Sequence, residues 1–340
     1  MIFMSKRILA AACAAATALA LSACSSTPSS EGNATKDGTL TVMASFYPLQ
    51  YLAEKIGGEH VTVTSLTPAG AEPHDLELSP KTVDALASAD AVVYLAGFQS
   101  AVDEAIEQQA PKTVIDVSPA AELVEANSSA NHPSEDEDAD EAQSGESATE
   151  EHADHDHEGH DHEGHHHDMS ADPHFWLDPV RMASAATLVG DKLAEADPAN
   201  ADTYKANAQA LNEELSALGD DLVAKTATCQ IKTFVTAHTA FGYLADRTGL
   251  TQVGISGLDP DSSPSPARLA EISQIAKDQG VTTIFTEALI DPKVAQTLAD
   301  DLGISTAVLD PIESQTDSSK DYAAVMKDNI TALTTANNCQ

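Results

Sequence analysis

Four short β-rich apolar runs open the patterned part of the chain: Leu40–Ala44, Val61–Leu66, Ala91–Ala96 and Thr113–Val117. Between them lie stretches of helical character, such as Pro48–Ile56 and Pro80–Ala89. Alternation of this kind predicts a parallel sheet with covering helices. The pattern stops across residues 127–170, which hold almost no apolar side chains. Such a segment cannot bury enough surface to offset its ordering entropy, so it reads as a disordered insertion.

Order resumes at Asp172. Asp178-Pro179 supplies an N-cap and a first-position proline for a helix running to about Ala196, where Asp-Pro-Ala-Asn stops it. A second helix is predicted over Ala201–Thr226, with Tyr204, Leu211, Leu215, Leu218 and Leu222 on or near one face. At about 1.5 Å per residue it spans nearly 40 Å, enough to join two lobes. A second α/β series follows, with strands expected at Thr233–Thr236, Thr251–Gly254, Thr282–Thr286 and Thr306–Leu309. A chain of 340 residues also exceeds what one core usually organises. The expected fold is α/β in two lobes, each a parallel sheet flanked by helices, joined by one long rigid helix. Its parts are an N-terminal lobe at 39–198 that includes the insertion, a linking helix at 199–228 and a C-terminal lobe at 229–340.

The N-terminus reads as an address. Lys6 and Arg7 precede an apolar run, Ile8 to Leu21, followed by Leu21-Ser22-Ala23-Cys24. A short basic region, a hydrophobic stretch of about 14 residues and small residues at the cut describe an export signal over 1–23. The Leu-Ser-Ala-Cys ending resembles a bacterial lipobox, which makes Cys24 the lipidated residue. Residues 24–38 are polar and suit a flexible tether. Of the four cysteines, Cys13 then leaves with the signal and Cys24 takes lipid. Cys229 and Cys339 remain, and in an oxidising setting they are expected to pair.

Charge narrows the functional classes. There are 17 Lys and Arg against 54 Asp and Glu, a formal charge of −37. Nucleic-acid binding and electrostatic docking on anionic lipid both need basic clusters, so both are excluded. The acidity is uneven: no Lys or Arg occurs between Lys112 and Arg181, and eight of the 13 histidines fall within His152–His167. The acidic remainder attracts divalent cations.

Outside the insertion, His74, His174 and His238 lie in loops, as TPAGAEPHDLELSP, ADPHFWLDP and FVTAHTAFGYL. His60, in IGGEHVTV, reads as a solvated turn residue. Glu287 ends the strand TTIFTE, and Asp310 ends TAVLD. Four of the five residues His74, His174, His238, Glu287 and Asp310 follow predicted strands, and ligands of open parallel sheets bind at the carboxyl ends of strands. Neutral imidazole together with carboxylate suits Zn²⁺ or a neighbouring divalent metal.

Six segments in order, FYPLQYLAEKIGG, PAGAEPHDLELSP, DPHFWLDP, VTAHTAFGYLADRTGL, IFTEALIDPKVAQTLADDLG and LDP, resemble the zinc/manganese-type solute-binding lipoproteins of bacterial ABC importers. The resemblance covers most of the mature chain. It implies a metal held between the lobes by His74 and His174 from the first and His238 from the second. Asp310 or a water is the implied fourth ligand, with Glu287 an alternative ligand or a residue just behind the site. It also implies delivery to an ABC permease driven by a cytoplasmic ATPase, from a monomer held by lipid on the outer face of the cytoplasmic membrane.

Manganese-type members carry Glu where this chain has His238, and more nitrogen favours zinc over the harder Mn²⁺. The tract of His152, His155, His157, His160, His162, His165, His166 and His167 points the same way, as a set of weak auxiliary zinc sites. A manganese carrier, a zinc hydrolase and a surface adhesin are the competing readings. The resemblance is to a carrier, so an enzyme is not expected, and the sequence offers no adhesive repeat.

Overall fold

The computed structural model describes residues 38–125 and 171–340. The signal segment, Cys24, nearly all of the tether and the eight histidines of 152–167 lie outside the described residues.

The first half contains β1 (Leu40–Ala44), α1 (Tyr47–Gly57), β2 (Val61–Ser65), α2 (Pro80–Leu86), β3 (Ala91–Tyr94), α3 (Ser100–Gln109), β4 (Val114–Asp116) and α4 (Ser118–Ala121). Two long helices follow, α5 (Pro179–Ala196) and α6 (Ala201–Thr226). The second half contains β5 (Thr233–Thr236), α7 (Gly242–Thr248), β6 (Thr251–Gly254), α8 (Pro266–Asp278), β7 (Thr283–Thr286), α9 (Lys293–Leu302), β8 (Ser305–Val308) and α10 (Tyr322–Ala336). Each half thus builds a four-stranded parallel sheet flanked by helices. The two sheets share one order: β2-β1-β3-β4 in the first and β6-β5-β7-β8 in the second. In each, the chain reverses its direction of winding beside the first strand, leaving a crevice at the carboxyl ends between β1 and β3 and between β5 and β7.

Local chemistry sets the helix starts. Ser79, Asp178 and Ser265 each accept a hydrogen bond from a first-turn N–H, and a proline follows each of them. Proline there loses nothing, because the first-turn N–H groups have no partner within the helix. The central strands are covered on both faces, and all four residues of β5 are buried.

One apolar core runs from Val42 and Val93 through Leu193 and Leu215 to Phe234, Phe285, Leu309 and Tyr322. Smaller clusters around Leu86 and Val92, and around Ile272 and Ile284, sit within the first and second halves respectively. The α6 helix buries Tyr204, Ala208, Leu211, Leu215, Leu218 and Leu222 along one stripe. It packs on α1, α5, α7 and α10, so both halves of the chain rest on it. The disulfide between Cys229 and Cys339 is present, and it ties the end of this helix to the end of the chain.

The α5–α6 contact is unusually close at two points. A Cβ on Gly190 would stand 2.3 Å from the Ala208 Cβ, and one on Gly219 would stand 2.7 Å from Val180 Cγ2. Elsewhere in a helix, Gly→Ala gains up to about 1 kcal/mol from propensity. Here overpacking wins, so Gly190→Ala is expected to destabilise by about 1–3 kcal/mol. Adding Ala208→Gly should restore part of the loss. Urea unfolding of the three proteins checks both the sign and the rescue.

Candidate metal centre

The structure brings four side chains to one point between the halves. His74 lies in the loop between β2 and α2, His174 just before α5, His238 two residues past β5, and Glu313 in the loop between β8 and α10. Their ligand atoms all lie within 4.8 Å of one another. Glu313 Oε1 is 3.4 Å from His74 Nε2, 3.2 Å from His174 Nε2 and 3.3 Å from His238 Nε2. The Nε2 atoms of His174 and His238 are 3.4 Å apart. A tetrahedron whose centre lies about 2.0–2.1 Å from each corner has edges of about 3.3–3.4 Å. The three edges to Glu313 and the His174–His238 edge therefore have the length of a four-coordinate zinc-sized site.

Carboxylates behind the ring orient two of the imidazoles. His174 Nδ1 lies 2.8 Å from Asp172 Oδ1, and His238 Nδ1 lies 2.7 Å from Glu287 Oε2. The same acids accept the backbone N–H groups of these histidines, at 3.0 and 3.1 Å. Fixing the proton on Nδ1 turns the Nε2 lone pair toward the centre, the usual device of a metal-binding histidine. The His238–Glu287 pair joins the loops after β5 and β7, so it spans the crevice of the second sheet. Thr236 Oγ1 and Gln252 Nε2 both donate to the His238 carbonyl, at 2.6 and 3.0 Å, and hold that loop from below. Gln99 Nε2 donates to the Pro73 carbonyl at 3.0 Å, and the edge of the His74 ring meets Phe98 at 4.9 Å.

Asp310 does not join the cluster. Its Oδ1 accepts the Ile312 N–H at 2.8 Å, closing a turn, while its own N–H and carbonyl bind the Asn329 amide at 2.8 and 2.6 Å. The fourth corner belongs to Glu313, three residues on. Ile312 between them adopts a φ of 57°, a left-handed conformation that is costly for a β-branched residue. This turn aims Glu313 inward, and holding it costs about 1–3 kcal/mol. Glu287 is likewise not a corner but stands behind His238.

The sequence reading also missed Asp172, although a signal was present. Glu72-Pro73-His74 and Asp172-Pro173-His174 are both acid-Pro-His, and in both the acid accepts the His N–H two residues on, at 2.9 and 3.0 Å. The short aspartate also reaches Nδ1. The longer glutamate instead extends to 3.9 Å from His74 Nε2.

Burial and charge set the protonation. His174 and His238 are fully buried, and Glu313 is 2% exposed. Burial alone pushes His238 down, but Glu287 and Glu313 outweigh it and hold the imidazole up at about 10. His174 is raised as well, by Asp172 and Glu313 against the same burial. Burial raises the Glu313 carboxyl, but the three imidazoles hold it well below the usual carboxylate range. Without metal, the charge at the centre is thus supplied by protons.

A two-lobed metal-binding protein is the class that this fold and site define. The family "ZnuA: Zinc-uptake complex component A periplasmic" matches residues 42–336, and the chain belongs to it. It is 34% identical over 302 residues to "Zinc-binding protein AdcA" of Streptococcus pyogenes serotype M3, covering 87% of this chain and 56% of that protein. The chain thus spans little more than half the length of that relative. It is 33% identical over 327 residues to "High-affinity zinc uptake system protein ZnuA" of Bacillus subtilis strain 168, covering 94% of each. Among solved structures, the Zn(II)-bound ZnuA-like domain of Streptococcus pneumoniae AdcA superposes with a TM-score of 0.68 at 29% identity, covering 88% of this chain and 100% of that one.

Two outcomes follow from the geometry. Glu313→Gln removes the one anionic corner and is expected to weaken zinc binding by at least about 10-fold, whereas Asp310→Asn keeps the turn acceptor and should stay within a few-fold. Competition with a chromophoric chelator measures both. The protonation gives the second. Below the unfolded histidine value near 6.5, protonated His238 stabilises the metal-free fold in full, and this is lost as pH rises through about 10. Zinc needs the neutral Nε2, so binding at pH 7 should release at least one proton, and affinity should climb with pH up to about 10. Calorimetry in buffers of different ionisation heat counts the protons, and a count of zero contradicts the assignment.

Proposed function

We propose that this protein is an extracytoplasmic zinc carrier. It captures one Zn²⁺ through His74, His174, His238 and Glu313 and delivers the ion to an ABC permease driven by a cytoplasmic ATPase. The observation that carries the reading is the buried group of three nitrogens and one carboxylate oxygen, all within 4.8 Å of one another. Three imidazoles with a single carboxylate favour zinc over the harder Mn²⁺. Family membership supports the transport role. In this reading the chain is exported, held to the outer face of the membrane by lipid on Cys24, and works as a monomer.

The zinc is cargo here and undergoes no reaction. Catalytic zinc keeps an open position for water or substrate, whereas four protein donors close this one. Glu287, the residue best placed to act as a base, is instead bound to His238 Nδ1. Two corners come from the first half of the chain and two from the second. Parting the halves therefore splits the ligand set in two, which gives the permease a mechanical route to release. The histidine tract of 152–167 collects zinc weakly and raises the local supply in the same reading.

Competitive titration with Zn²⁺ and Mn²⁺ tests it. Wild type should prefer zinc, and His238→Ala should lose most of the zinc affinity; preference for Mn²⁺ by the wild type would overturn the metal assignment. A chain lacking 127–170 should keep one tight site and lose the weaker ones. Unchanged stoichiometry would remove the scavenging role.

A further inference from the structure

His174 belongs by chain order to the first half, yet the second half reaches the residue that supports it. Tyr243 stands on α7 and is 2% exposed. Its hydroxyl donates to the Asp172 carbonyl at 2.7 Å and accepts the Val124 N–H at 3.0 Å. Asp172 N–H closes the triangle on the Val124 carbonyl at 3.0 Å. One phenol oxygen thus pins both strands of chain that flank the 126–170 segment. The Arg181 guanidinium covers the Tyr243 ring, with its carbon 4.7 Å from the centroid, and Arg181 Nη1 donates to the Ala121 carbonyl at 2.7 Å. The backbone held by the phenol is the backbone of the acid that sets the Nδ1 proton of His174.

We infer that Tyr243 is a cross-lobe positioning residue for zinc. From the second half it holds Asp172, and through Asp172 it aims His174 at the metal. Whatever parts the halves withdraws the phenol and loosens a ligand on the opposite side, so release is steeper than separation of the four corners alone would give. The idea rests on the zinc-carrier reading and adds to it a coupling between lobe contact and ligand quality.

The test is a pair of double-mutant cycles on the full chain, with zinc affinity read by chelator competition. Tyr243→Phe removes one oxygen and keeps the ring. It should weaken zinc about 10-fold, the lower end of the range for partners behind a metal ligand. If the phenol acts through Asp172, the factor should shrink to within about twofold in an Asp172→Asn background. It should remain about 10-fold in a Glu287→Gln background, because Glu287 supports His238. An equal factor in both backgrounds, no effect in the wild type, or an unfolded Tyr243→Phe protein by circular dichroism would each overturn the inference. Failure of the wild type itself to bind zinc would instead refute the carrier reading.

Discussion

Three imidazole nitrogens and a carboxylate oxygen held within 4.8 Å of one another in a buried interior need positive charge among them. Everything around the centre follows from that constraint. Protons supply the charge in the metal-free protein, which is why His238 is held up at about 10 despite complete burial. A divalent ion supplies it more completely, because all four lone pairs can point at one centre instead of competing for protons. Asp172 and Glu287 make the exchange directional: by taking the Nδ1 sides they leave only the Nε2 faces to choose between proton and metal. The same arrangement makes acid the natural antagonist of loading.

Such a centre is only as well defined as the frame that carries it, and each half alone brings two corners. The frame is a pair of sheets of one topology, set on a helical spine whose two long members touch where Gly190 and Gly219 admit close approach. Around the site the halves are clasped by bonds that cross between them. Trp176 Nε1 donates to the Pro311 carbonyl at 2.7 Å, Lys55 meets Asp321 at 3.1 Å, and Arg247 pairs with Asp178. Pro311 and Ile312 also belong to the turn that presents Glu313, so the clasp and the ligand loop are one piece of chain.

Much of this was legible in the sequence, for reasons that differ by element. Strand and helix periodicity gave the two sheets and the Ala201–Thr226 helix, because apolar faces must be buried wherever they occur. The three histidines were legible because they lie after strand ends or in a Pro-rich loop, inside segments that resemble the family. The fourth corner was not. Asp310 sits where a strand-end ligand is expected, but its carboxylate is consumed by the Ile312 N–H, and no periodicity foretells an isoleucine at positive φ. Asp172 was hidden by its place at the edge of the polar insertion, although its acid-Pro-His spacing repeats that of Glu72. Nothing in the sequence singles out Tyr243, because its hydroxyl meets the Asp172 carbonyl 71 residues away.

The chain has one tryptophan, and the fold puts it at the seam. Trp176 is fully buried, its ring centroid is 5.2 Å from that of His174, and its N–H is bound to the opposite half. All of the protein's indole emission therefore originates within one side chain of the cargo, at the joint whose opening would release it. Both the filling of the centre and the parting of the halves would therefore change the surroundings of the same single indole.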